Sequence, residues 1–91
     1  MKDLRSVVRE YAQNISEGQL EVLTLRLTQK LQGDVAYVLD VMSGDKNIDS
    51  FLSSANSADE FFYTIDQITQ VLQQECKKKR LILSKGQINA A

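Results

Sequence analysis

The segment from Ala58 to Cys76 constrains the chain most. Its apolar residues, Ala58, Phe61, Phe62, Ile65, Ile68, Leu72 and Cys76, recur at intervals of three and four. Such spacing returns to one side of a helix with about 3.6 residues per turn, whereas a strand shares a face between alternate residues. Ser57 and Glu60 stand at capping-box spacing in front of it, and Asp59 with Glu60 suits the positive end of a helix dipole. Lys77, Lys78, Lys79 and Arg80 fall near the opposite end, where cations suit the negative pole, and Lys85-Gly86 reads as a stop. A helix is therefore predicted over Ala58–Leu83. The domain is drawn at 1–85, with a disordered tail over 86–91.

Other segments repeat the pattern less cleanly. Met1, Leu4, Val8, Tyr11 and Ile15, widened by Val7 and Ala12, predict a helix over Lys2–Asn14. Ser16 and Gln19 form a second capping box, with Ile15 and Leu20 placed as a hydrophobic staple around it. A helix over Glu17–Gln32 follows, with Leu20, Leu23, Leu27 and Leu31 inward. Val22–Thr28 also alternates as a strand would, but the flanking Glu, Gln, Lys and Leu are good helix formers. Leu25 falls off the main stripe and is expected to face a second surface. At Gly33-Asp34 either the glycine ends one helix and Asp34 caps the next, or one longer helix bends there, since Leu31, Val35, Val38, Leu39 and Met42 keep helical phase across it. A helix over Asp34–Ser43 closes at the turn-forming Ser43–Asn47, and Ile48–Ser54 reads as a turn or short helix with Asn47 as its cap. The expected fold is all-α: one small antiparallel bundle of four main helices, with Gly33 bending or splitting the central one.

Residue types narrow the chemistry. Histidine, proline and tryptophan are absent, and Cys76 is the single cysteine in 91 residues. One cysteine forms no intrachain disulfide and no multi-cysteine metal site, which suits a reducing compartment. The cations after Cys76 could lower its pKa, but no histidine is present to act as a base. Asp45, Asn47 and Asp49 resemble the start of a calcium loop. Ser50 and Asn56, however, occupy the positions that need glycine and a bidentate glutamate, so a polar turn is expected instead. Asp34, Asp40 and Asp66 are the carboxylates nearest an apolar stripe, and no phosphate-binding glycine loop appears. No enzymatic activity, cofactor or metal is expected. No apolar run approaches the roughly 18 residues of a membrane span, and no secretory leader is evident, so a cytoplasmic protein without membrane contact is expected.

Charge is the more informative property. The formal net charge is only −1, but it is unevenly distributed. Residues 31–76 hold eight anions and one cation, and residues 77–91 hold five cations and no anion. Lys77–Arg80 also run straight into the aliphatic Leu81, Ile82 and Leu83. That junction reads in three ways: a solvated helix end, a docking element for an acidic protein surface, or a phosphate contact. On a helix four successive cations form a collar and not a groove-facing stripe, and no aromatic lies near to stack on bases. The expectation is a non-catalytic regulatory or adaptor domain, self-associating as a homodimer or binding a protein partner. Its partner-binding residues are Lys77, Lys78, Lys79, Arg80, Leu81, Ile82 and Leu83. The alternative is a nucleic-acid-associated accessory factor using the same basic cluster.

Overall fold

A computed structural model describes residues 3–79. Among them are five helices and no strand: α1 (Leu4–Asn14), α2 (Glu17–Gln29), α3 (Gln32–Met42), α4 (Lys46–Ser53) and α5 (Ala58–Lys78). The strand alternative for Val22–Thr28 is thereby excluded.

Capping side chains set most of the helix starts. The Asp3 carboxylate accepts from the Ser6 amide at 2.8 Å and starts α1 two residues after the expected Lys2. That hydrogen bond holds the Asp3 carboxyl below its usual range. Ser16 Oγ accepts from the Gln19 amide at 3.1 Å, and Ser57 Oγ accepts from the Glu60 amide at 3.2 Å, as the two capping boxes predict. The Glu60 carboxylate reaches past the cap and accepts from the Asn56 amide at 2.6 Å. Asp45, and not Asn47, caps α4: its Oδ1 takes the amides of Asn47 and Ile48 at 2.9 and 3.1 Å. An aspartate at that position satisfies two donors of the first turn, and the expected turn or short helix is an eight-residue helix.

The break in the central segment is real but lies ahead of Gly33. Helix α2 ends at Gln29, Lys30 is left-handed at φ 58° and ψ 26°, and extended Leu31 precedes α3. Gly33 sits inside the first turn of α3, has no positive φ, and a Cβ there would meet nothing within 4 Å. The glycine is therefore not required by the turn. The turn is held from its flanks, where Arg26 Nη1 lies 3.0 Å from Asp34 Oδ1 and the guanidinium lies 4.5 Å from the Tyr37 ring centre. Leu31, expected inward, is 59% exposed because it lies in the connection and not on α2.

Helix α5 is the spine. It packs against α1, α2 and α4, while α3 rests on α2 and α1 also meets α4. Ile68, Val71, Leu72 and Cys76 of α5 are fully buried among Val8, Leu20, Leu23, Leu27, Met42 and Ile48. Burial is deepest in the C-terminal half of α5. Ala58 and Phe62, expected inward, are exposed because the cover from neighbouring helices thins toward the N-terminus. The helix closes at Lys78 with Lys79 as its C-cap, short of the predicted Leu83. The predicted tail lies outside the described residues.

Left-handed backbone is costly for a residue with a Cβ, by roughly 1–2 kcal/mol, and glycine adopts it freely. Lys30→Gly is expected to raise stability by about 0.5–1 kcal/mol, the gain being reduced by greater freedom of the unfolded chain. Urea unfolding measures it; a loss of stability would mean that Lys30 makes contacts outweighing its backbone strain.

Candidate interaction surface

Helix α5 presents two unlike sides. The side facing α2 is stitched by polar groups within an apolar seam. Thr24 Oγ1 donates to the Leu20 carbonyl at 2.7 Å and accepts from Cys76 Sγ at 3.3 Å. One turn along, Thr28 Oγ1 donates to the Thr24 carbonyl at 2.8 Å and accepts from Gln73 Nε2 at 3.0 Å. These threonines can be buried in a helix because their hydroxyls return to the carbonyl four residues back. The side facing α1 is tied by Arg5 Nη1, which donates to Gln67 Oε1 at 2.6 Å.

These contacts leave Cys76 unsuited to nucleophilic work. It is fully buried, and burial pushes the thiol up from its ordinary value of 9.0, outweighing the opposing hydrogen bond to Thr24 and the nearby Lys79. The following cations do not activate it, because desolvation disfavours the thiolate more than they favour it. Its neighbour Glu75 is only 2% exposed. Oε2 of Glu75 lies 3.1 Å from Lys78 Nζ without the alignment of a hydrogen bond. The contact is an ion pair by distance alone.

Of the sequence-predicted partner-binding residues, Lys77 and Lys78 are exposed and Lys79 is half-buried at the C-cap. Arg80, Leu81, Ile82 and Leu83 lie outside the described residues. Lys78 is engaged by Glu75, so the cations are not equivalent. The acidic candidates separate too: Asp34 is paired with Arg26, Asp45 caps α4, and Asp40 and Asp66 are exposed. Among the described residues no three His, Cys, Asp or Glu side chains converge as a metal site, and no helix is long and apolar enough to cross a membrane.

The surface feature that periodicity missed is aromatic. Phe62 and Tyr63 are 61% and 65% exposed on α5, with Phe61 and Phe62 meeting edge to face at 5.9 Å between ring centres. Phe62 forms one wall of a groove of about 360 Å³, with Leu27, Val35 and Ile65 as its apolar lining and Lys30 and Asp66 at its edge. A second hollow, bordered by Thr28, Lys30, Asp66, Gln70 and Gln73, shares that edge and runs toward the C-terminal half of α5. Val22 and Leu25 are also exposed, on α2, as expected for Leu25. The doublet Phe61-Phe62 was the available clue: adjacent helical residues differ by about 100° in direction, so both seldom face one core.

Compared with known proteins, the chain matches no family model, no curated protein and no solved structure.

Two weak acids, buried Cys76 and half-buried Tyr11, shape the alkaline behaviour. Burial, and secondarily the Asp45 carboxylate, also raises Tyr11 above its ordinary 10.0. A group whose folded pKa is raised contributes in full below its unfolded value and loses that contribution as pH climbs through the folded one. Stability should therefore fall as pH rises through about 9, where half of the unfolded thiol is ionised. Denaturant midpoints across alkaline pH test this, with Cys76→Ala flattening the earlier part of the decline. Native-state alkylation of Cys76 should proceed only through opening, and labelling as fast as a free thiol's would contradict its burial.

Proposed function

We propose that this chain is a non-catalytic regulatory or adaptor domain of the cytoplasm, acting through protein–protein contacts and self-associating as a homodimer. The observation that carries the reading is exposed Phe62, a wall of the apolar groove, with Tyr63 exposed next to it in the chain. Adjoining aromatics left in water beside an apolar hollow suit a contact surface, since aromatic side chains anchor interfaces far out of proportion to their number.

An antiparallel helical bundle is the scaffold proposed for it. In support, α2 and α3 are in contact and are joined only by Lys30 and Leu31, a short connection of the kind that links antiparallel neighbours in bundles. The C-terminal cations fit a steering role. Lys77 projects freely while Lys78 is held by Glu75, and such charges speed the encounter with an acidic surface more than they tighten the complex. The partner-binding set Lys77–Leu83 is retained in this proposal, with Phe62 and Tyr63 added to it.

Sedimentation equilibrium across a wide concentration range tests the reading. A reversible monomer–dimer equilibrium is expected, and Phe62→Ser with Tyr63→Ser should weaken it roughly tenfold or more without lowering the unfolding midpoint. A monomer at every concentration would contradict self-association.

A further inference from the structure

We infer that two copies of this chain pair through the outer faces of their α5 helices, antiparallel about a two-fold axis, with Asp66 of each copy against the partner's Lys77. This inference rests on the self-association reading and names its geometry.

The outer face of α5 is defined by its spacing. Asp59, Tyr63, Asp66, Gln70, Gln73 and Lys77 succeed one another at intervals of four, three, four, three and four. That alternation keeps the six on one side of the helix, a polar side and not the apolar seam of a coiled coil. All six are exposed except the half-buried Gln73, and the opposite side of α5 faces the core. Apart from Gln73, which is bonded to Thr28 of α2, this face is left uncovered by the other described residues.

Its charge is polarised along the axis. Asp59, Glu60 and Asp66 lie in the N-terminal half without a cation, whereas Lys77, Lys78 and Lys79 close the helix. Parallel pairing would set like charges together. Antiparallel pairing sets each acidic half against a basic end, and a two-fold axis makes every such contact twice. Among the described residues neither Asp66 nor Lys77 has an ion-pair partner within the chain.

The register follows from that one contact. With Asp66 opposite the partner's Lys77, Gln70 lies opposite the partner's Gln73, so the axis passes between side chains able to exchange amide hydrogen bonds. Gln73 already gives its Nε2 to Thr28, which leaves its carbonyl oxygen to accept.

Charge exchange decides the matter. Dimer dissociation constants from sedimentation are to be compared for the full chain, Asp66→Lys, Lys77→Asp and the double variant, with helicity checked by circular dichroism. Each single reversal should weaken the dimer roughly tenfold or more, and the double variant should recover most of the loss, since it restores opposite charges at both symmetry-related contacts. If the full chain dimerises and neither reversal matters, or the double variant recovers nothing, the α5 pairing is wrong while self-association stands. If the full chain is monomeric throughout, both fail, and the α5 face is left to a different protein.

Discussion

The apolar face of α5 has to be kept from water along most of the helix, and no single neighbour is wide enough to do it. Ile68, Val71, Leu72 and Cys76 point through a broad arc, so α1, α2 and α4 each cover one part of it. The remaining arrangement follows from that requirement. Helix α3 does not pack substantially on α5; it lies against α2 and closes the core from outside with Val38 and Met42. Those two buried side chains anchor it, and the Arg26 contacts to Asp34 and Tyr37 flank the strained turn at Lys30.

Much of this was legible because apolar spacing and capping chemistry are local. The serines of both capping boxes act as caps, and the stripes of α1, α2 and α5 place most of their central residues in the core. Three features were not legible, each for a physical reason. The α2–α3 break falls at Lys30, a residue with no intrinsic preference for left-handed backbone, so helical phase runs across it unbroken. Asp45 was read as part of a loop because its role depends on α4 forming at all, and that short helix gains its stability from burying Ile48. Phe62 looked like core because periodicity reports which side of a helix is apolar and not how far its neighbours extend along it.

The same arrangement accounts for the chemistry. The thiol and the deepest carboxylate are drawn into the α5 packing: Cys76 binds Thr24, and Glu75 lies against Lys78. What remains at the surface is shape and charge. On the outer side of α5 an acidic N-terminal half, with exposed Phe62 and Tyr63 within it, gives way to a basic end. The surface proposed for contact thus lies on the helix that also organises the fold, so changes to it must be made on the outer face if the core is to stay intact.

Amide hydrogen exchange measured residue by residue tests the central claim most directly, namely that α5 is the element on which the others are assembled. Amides of Ile68, Val71, Leu72 and Cys76 should exchange only with global unfolding, and those of α3 from Val35 to Met42 should open first, at a distinctly lower free energy. Exchange in α3 as slow as in α5, or early opening at the centre of α5, would contradict the account.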